Sequence, residues 1–192
     1  MIVFSDVSKI EIKMTDSAFI WGAMFDNMMP KEVANINDYF SIFNMGVARN
    51  EHKWEIVESQ RNKRKWTDGD NMVQRFSEYQ TPIKGHLPFC SVDGHSPDWY
   101  EDLEGEISPT EMKKLALDWL DELINRYKGQ IHNWDIFNEV IHGNFFRRQF
   151  GKSFWHEVLR EIKTIDDKAE IGFNDYSMLT ENRVQCYEAL SS

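Results

Sequence analysis

The sequence predicts an α/β protein whose short parallel strands alternate with amphipathic helices. Five short apolar runs recur along the 192 residues, and most are followed by a polar loop and apolar residues at helical spacing. Strands that alternate with helices of about ten to fifteen residues pair in parallel through right-handed crossovers. On this pattern alone, an open doubly wound sheet and a section of a barrel are equally possible. A complete eight-unit barrel typically needs ~250 residues, so the chain is too short for one.

Five strands are predicted from these apolar runs. Pro82 fits the start of the third, where no hydrogen bond of the sheet is lost. The predicted strands are 18–25, 43–48, 81–89, 131–137 and 171–176.

The longest predicted helix has the clearest signals. Ser108, Pro109 and Glu111 supply a capping residue, a first-turn proline and an acidic residue near the positive end of the helix dipole. Apolar residues then follow the helical period until Gly129, just past the end. The other predicted helices are 30–39, 70–79, 154–165 and 183–190.

Composition and charge argue against several classes of protein. Hydrophobic residues make up 41% and charged residues 28%, values that exclude a disordered chain. The formal net charge of −10 argues against binding to nucleic-acid phosphates, and the basic run 61–65 is interpreted as a solvated loop. No apolar run approaches the ~18–20 residues that cross a bilayer. We therefore expect neither nucleic acid nor a membrane as a partner.

Neither a metal nor a cofactor is expected. Cys90 and Cys186 have no metal-binding spacing and are predicted to be free thiols, and His132 and His142 have no second ligand at a suitable spacing. The N-terminal residues lack the pattern of a secretory signal, so the protein is cytosolic or its true start lies upstream.

Polar side chains follow the ends of successive predicted strands. Arg49 to Trp54 follows the second strand, the third carries His86, and the fourth ends in Asn138-Glu139. Asn174 to Tyr176 closes the fifth. In parallel α/β folds, ligands bind beyond the carboxyl ends of the strands. Amides, carboxylates and amines recognise sugar hydroxyls, and aromatic faces stack on sugar rings. The sequence therefore predicts a sugar-binding cleft.

Glu139 is the best-placed proton donor in this cleft. A partly dehydrated carboxyl group at the tip of a buried strand has a raised pKa and can protonate a leaving-group oxygen near neutral pH. The neighbouring Asn138 is placed to hydrogen-bond a sugar hydroxyl beside the reacting carbon.

Several of these segments together resemble glycoside hydrolase family 10, whose members are mostly endo-β-1,4-xylanases. The similarity runs from about Ala18 to Leu190, and the continuation NEVIHGNFF from Asn138 is similar to the eukaryotic, plant-like branch. The matching segments are WDIFNE at 134–139, NEHKW at 50–54, GH at 85–86 and FNDY at 173–176.

The resemblance implies a (β/α)₈ barrel and retaining hydrolysis of β-1,4-xylan by two glutamates. By motif position, Glu139 is the general acid/base and Asn138 contacts the sugar at the cleavage site. Asn50 and Lys53 bind the sugar on the non-reducing side, and His86 helps to hold the ring at the cleavage point. The expected partner is a xylan-like polysaccharide or oligosaccharide.

Three features depart from the family pattern. The family's nucleophile is a Glu on the seventh strand, and no such motif follows Ile171. We therefore expect residues 1–192 to be a single partial barrel domain, a fragment that is inactive alone. Arg49 stands where the family usually has Glu, and Cys90 stands where a Trp normally lines the cleavage subsite.

Two other functional classes remain open. The first is a non-catalytic carbohydrate-binding protein derived from a xylanase barrel. The second is an inverting hydrolase in which Glu51 or Asp175 activates water, which requires a separation of ~6.5–9.5 Å from Glu139. Asp175 is expected to orient other groups rather than to act as a base.

The seven tryptophans are assigned mostly to the core. Trp119 and Trp155 lie on amphipathic helices and are predicted to pack there, and core positions are also predicted for Trp21, Trp66 and Trp99. Trp54 and Trp134 remain open between the core and the site, and Trp54 is the better candidate to support the site.

Overall fold

The computed structural model describes residues 20–25 and 36–176, which form one parallel sheet flanked by helices. Its five strands pair in the order β1-β2-β3-β4-β5, the same order as in the sequence. A doubly wound sheet reverses its order at a switch point, and no reversal occurs here. The sheet is therefore a section of a barrel. The strands are β1 (Gly22–Phe25), β2 (Met45–Ala48), β3 (Ile83–Cys90), β4 (Asn133–Asn138) and β5 (Glu170–Asn174).

Seven helices lie within the described residues, and three short ones among them were not predicted. These three, α2, α4 and α6, are too short for a hydrophobic period to be read from the sequence. None of the described helices is both long and apolar enough to span a bilayer. The helices are α1 (Ile36–Ile42), α2 (Trp54–Val57), α3 (Thr67–Glu78), α4 (Asp98–Glu101), α5 (Pro109–Tyr127), α6 (Phe145–Phe150) and α7 (Ser153–Ile165).

All five predicted strands are confirmed, with bounds that differ by a few residues. The first strand begins at Gly22, and the fifth ends at Asn174. The first helix continues to Ile42, beyond its predicted end. The predicted helix 183–190 and Cys186 lie outside the described residues.

The cap of α5 is confirmed in full. The Ser108 hydroxyl accepts a hydrogen bond from the Glu111 backbone N–H (3.2 Å), and the Glu111 carboxylate accepts one from the Ser108 backbone N–H (3.0 Å). This reciprocal capping box satisfies two donors that the first helical turn leaves unpaired. Gly129, with φ of 72°, follows the helix end in the left-handed conformation that glycine adopts without strain.

One face of the sheet packs against the helices through aromatic rings. Phe89, Phe137 and Phe173 form a row across β3, β4 and β5, with ring centroids 6.0 and 5.3 Å apart. Phe154 of α7 meets Phe89 at 5.8 Å, and Trp155 meets Phe137 edge-on at 4.3 Å. Phe89, Phe137 and Phe154 are buried, and the partly buried Phe173 and Trp155 pack against them, so this face carries the hydrophobic core.

The opposite face carries polar residues on the central strands. A Cβ atom on Gly85 would lie 2.1 Å from the Trp134 ring, so these two residues share the core face. Because side chains alternate along a strand, Lys84, His86 and Asp135 point to the other face. That face is the inner surface of the barrel section.

The structure resolves the role of four of the tryptophans. Trp54 and Trp134 are buried in the core, so Trp54 is not a sugar platform, and Trp119 packs there as predicted. Trp21 is 46% exposed and contradicts its predicted core position, because it lies just before β1 at one edge of the described sheet.

The basic run 61–65 is tied to the fold more closely than a solvated loop. Arg64 forms ion pairs with the buried Glu58 and with Glu122, and Arg61 lies over the Trp99 ring at 5.5 Å. These contacts hold part of the run against the helices and give it a structural role.

Candidate active site

The five residues implied by the resemblance lie on β3 or at the carboxyl ends of β2 and β4. Asn50 and Lys53 follow β2, where the Lys53 N–H donates to the Asn50 carbonyl (3.0 Å). His86 lies within β3, Asn138 ends β4, and Glu139 comes directly after it. Since all five strands are parallel, these strand ends share one edge of the sheet.

Asn138 is fixed by its neighbours on both sides. Its side-chain oxygen accepts a hydrogen bond from the Asn174 amide (2.6 Å), and its side-chain nitrogen lies 3.6 Å from the Cys90 sulfur. Cys90, Asn138 and Asn174 are register partners across β3, β4 and β5. This row holds the Asn138 amide in one orientation at the end of the sheet.

The pKa of the Cys90 thiol depends on burial, on hydrogen bonds and on nearby carboxyl groups. Burial raises its pKa, hydrogen bonds with the Val92 backbone and the Asn138 side chain oppose this rise, and the nearby Glu139 and Glu55 add to it. The thiol is therefore neutral, and both carboxylates lie within electrostatic range of it. Glu55, on α2, was missed by the sequence analysis. The only signal was its position two residues after Lys53.

An ionised carboxylate, Asp135, lies beside Lys84 and His86. The Lys84 amine lies 2.7 Å from one oxygen of Asp135, and Nδ1 of His86 lies 3.5 Å from the other. Burial raises the pKa of Asp135, but the adjacent Lys84 and His86 outweigh it, and the net shift is downward. Asp135 therefore remains charged, and the buried His86 has an anionic partner on the inner face.

Glu139 adopts a backbone conformation that is uncommon for a residue other than glycine. Its φ is 57°, in the left-handed region. Its N–H donates to the Asn174 carbonyl (2.8 Å), and its carbonyl accepts from the Gly143 N–H (2.7 Å). Such strain persists only where surrounding contacts hold it, and it occurs often at functional sites.

Ser91 anchors the turn that follows Glu139. Its carbonyl accepts a hydrogen bond from the Phe145 N–H (2.8 Å), and its own N–H donates to the Asn138 carbonyl (2.9 Å). A Cβ atom on Gly143 would lie 2.2 Å from the Ser91 carbonyl oxygen, so this close approach requires glycine. The end of β3 thus supports the turn after β4.

The Asp175 carboxylate binds residues of the same turn. One of its oxygens accepts from the Ile141 N–H (2.9 Å); the other accepts from the Tyr176 N–H (2.8 Å) and lies 2.5 Å from Nδ1 of His142. The Glu51 carboxylate accepts from the Asn50 N–H (2.9 Å). Both carboxylates considered for water activation thus bind backbone N–H groups, which favours an orienting role for Asp175.

His52 is a buried histidine beside this edge. Neither ring nitrogen has a hydrogen-bond partner among the described residues, and the ring packs against Tyr127 and Trp134. Burial and the nearby His86 lower its pKa to about 3, while Asp70 opposes the shift. The ring is therefore neutral in the folded protein.

Arg49 is exposed in the turn after β2, at the edge that carries the candidate site. Within residues 20–25 and 36–176, no three His, Cys, Asp or Glu side chains lie together in a way that could hold a metal ion.

Comparison with known proteins identifies the family and the fold of the chain. The family described as Glycosyl hydrolase family 10 matches residues 12–191. The chain belongs to this family. Solved family 10 structures show the same fold: a psychrophilic endo-β-1,4-xylanase covers 89% of the chain with a TM-score of 0.77 at 20% identity, and xylanase XynB from Paenibacillus barcinonensis covers 90% with 0.78 at 21%. The five strands are thus part of a (β/α)₈ barrel.

Curated relatives from plants and bacteria also match. Endo-1,4-beta-xylanase 1 of Arabidopsis thaliana is 28% identical over 73% of the chain, and endo-1,4-beta-xylanase A of Xylanibacter ruminicola is 32% identical over 78%. Anti-sigma-I factor RsgI6 of Acetivibrio thermocellus is 28% identical over 86%. The chain spans 14%, 41% and 21% of these three proteins, and 58% and 54% of the two solved structures.

Proposed function

We propose that this family 10 chain carries the acid/base half of a retaining endo-β-1,4-xylanase site. Glu139 protonates the glycosidic oxygen as the bond to the leaving sugar breaks, and later deprotonates the attacking water. The second carboxylate of a retaining site attacks the anomeric carbon from ~5–5.5 Å away. We infer that it belongs to strands outside the 192 residues, so that the chain is a partial barrel domain and inactive alone.

The main support for the proposal is the left-handed backbone conformation of Glu139 at the end of β4, which hydrogen bonds maintain. A left-handed backbone is costly for glutamate, yet hydrogen bonds to Asn174 and Gly143 keep this residue there. The residue before it, Asn138, is fixed on both sides of its amide. A glutamate with a fixed backbone beside a fixed amide suits protonation of a sugar oxygen and recognition of the neighbouring hydroxyl.

Other residues of the same edge are assigned to substrate binding. His86, which lies beside Asp135, holds the ring at the cleavage point, and Asn50 and Lys53 bind the sugar on the non-reducing side. A neutral Cys90 in place of the family's tryptophan leaves more room beside Asn138. We expect a xylan-like substrate that differs from plain xylan in its side groups.

The test uses the protein encoded by the complete reading frame that contains these residues. We measure reducing-sugar release from xylan and the hydrolysis of an aryl β-xylobioside whose acidic phenol leaves without protonation. Glu139→Gln should lower kcat/KM on xylan by about 10²–10⁴-fold and spare the formation of the glycosyl-enzyme from the aryl substrate. Glu55→Gln is the matched control, since its carboxylate also lies near Cys90.

The same experiment separates the alternatives. Binding of xylo-oligosaccharides without turnover by the complete protein would favour the carbohydrate-binding class. Turnover of xylan by the 192-residue polypeptide would contradict the inference that the nucleophile lies outside these residues. A stop codon directly after Ser192 would contradict the inference that the reading frame is longer.

A further inference from the structure

The turn that carries Glu139 is held at three points, and the third is not explained by substrate binding. The first is the Asn174 carbonyl, which accepts the Glu139 N–H. The second is the Ser91 carbonyl, which accepts the Phe145 N–H. The third is the Asp175 carboxylate, which binds the Ile141 N–H and the His142 ring in the middle of the turn.

The contact between Asp175 and His142 determines which ring nitrogen of the histidine carries a proton. A carboxylate can only accept hydrogen bonds, so Nδ1 of His142 must carry a proton to bind Asp175 at 2.5 Å. The Asp175 side chain is fully buried, while that of His142 is partly exposed. Removing the partners of a buried carboxylate is costly, so the contact resists opening.

Aromatic stacking adds to the contact. The His142 ring lies flat on Tyr176, with centroids 3.5 Å apart and planes 17° from parallel. Tyr176 also donates its backbone N–H to Asp175 (2.8 Å). The Asp175 carboxylate therefore links the turn after β4 to the residues that follow β5.

We propose that Asp175 and His142 are positioning residues that hold the β4–α6 turn so that Glu139 points at the glycosidic oxygen. The two residues act only through the backbone of the turn and do not touch the reacting atoms. This inference rests on the proposed function of Glu139. It assigns a role in proton transfer to a pair outside the sugar-binding set.

The first test compares substitutions at His142 in the complete protein. His142→Phe keeps a ring on Tyr176 but removes the donor, and His142→Asn keeps an amide N–H near the position of Nδ1. We expect His142→Phe to lower kcat on xylan about 10- to 100-fold with KM within twofold, and His142→Asn to recover most of the loss. Equal activity of the two variants would overturn the proposal.

The second test uses the leaving group as a readout that a merely structural role would not change. Asp175→Asn removes one acceptor from the turn and should impair hydrolysis of xylan far more than cleavage of an aryl β-xylobioside with an acidic phenol. Asp118→Asn is the matched control, because it breaks an exposed ion pair with Lys114 on α5 and none of its hydrogen bonds involves the turn. Equal losses on both substrates would contradict a role in proton transfer.

A third measurement does not depend on activity. Amide hydrogen exchange at Ile141 should be slow in the parent protein and faster in Asp175→Asn, whereas exchange within α5 should not change. Unchanged exchange at Ile141 would show that Asp175 does not hold the turn. If Glu139→Gln itself shows no dependence on the leaving group, the proposed function fails; if only the Asp175 and His142 variants show none, this inference alone fails.

Discussion

The two faces of the sheet differ in what holds them. The helix-covered face is held by packed rings, such as the row of Phe89, Phe137 and Phe173. The inner face and its edge are held by hydrogen bonds and charge, as in the contact of Lys84 and His86 with Asp135. Packing determines whether the barrel section forms, and the polar contacts determine where the reactive groups point.

The largest effect on stability should come from the helix-covered face. Phe154→Ala removes a fully buried ring that contacts Phe89 and Phe146, and we expect a loss of about 3–5 kcal/mol in the free energy of unfolding. Urea unfolding measures the loss. Ile56→Ala, at a 48% exposed position, is the control and should cost far less. Similar losses at both positions would show that burial against the helix-covered face does not determine stability.

The second prediction concerns acid stability and the neutral His52. The folded pKa of about 3 lies below the ordinary value of 6.5, so only the unfolded state binds this proton between those limits. The contribution of the neutral His52 to the free energy of unfolding is complete above pH 6.5. As the pH falls below 6.5, this contribution decreases by about 1.4 kcal/mol per pH unit. His86 and Asp70 also face this ring, and both remain in the comparison of parent with His52→Met.

The measurement for His52 is urea unfolding between pH 6.5 and 5. We expect the parent to lose stability faster than His52→Met as the pH falls, and the two slopes to agree above pH 7. Parallel slopes over the whole range would show that His52 has the same pKa in the folded and unfolded states.

A smaller effect is expected from the inner-face carboxylate. Asp135→Asn removes the charge that pairs with Lys84 and that we expect to orient His86, so affinity for xylo-oligosaccharides should fall about tenfold, or ~1.4 kcal/mol. Calorimetry measures the affinity. Asp118→Asn, which breaks an exposed pair with Lys114 on α5, is the control. An unchanged affinity in Asp135→Asn would exclude this orienting role.

The smallest effect should come from an ion pair on the exposed surface. Arg126 binds Asp70 through two hydrogen bonds of 2.8 and 2.5 Å, but both side chains are more than a third exposed. Arg126→Gln should therefore lower the free energy of unfolding by less than about 1 kcal/mol, and the difference should shrink in high salt. A loss as large as that of Phe154→Ala would contradict the ranking.

Much of the fold could be predicted because its signals are local and repeated. The cap at Ser108 and the long apolar period identified α5, and the apolar runs identified all five strands. Strand bounds were less certain because β3 and β4 each contain a register shift, with Leu87 at φ of 65° beside the shift in β3. The short helix α2 was missed, and for this reason Trp54 was considered for the site although it packs in the core.

The site could be predicted only in part. Residues at strand ends, such as Asn138 and Glu139, were found because parallel strands deliver their carboxyl ends to one edge. The contact between Asp175 and His142 was not predicted, because it joins two separate strand ends through a turn whose conformation depends on the close approach of Gly143 to Ser91. Tertiary contacts of this kind leave no periodic signal in the sequence.

The central claim is that Glu139 donates a proton to the leaving sugar. The most direct test measures kcat/KM of the complete protein for a series of aryl β-xylobiosides whose phenols differ in pKa. The account predicts a shallow dependence on phenol pKa for the parent and a steep one for Glu139→Ala, because only the parent can protonate poor leaving groups. Equal slopes for the two proteins would contradict the claim.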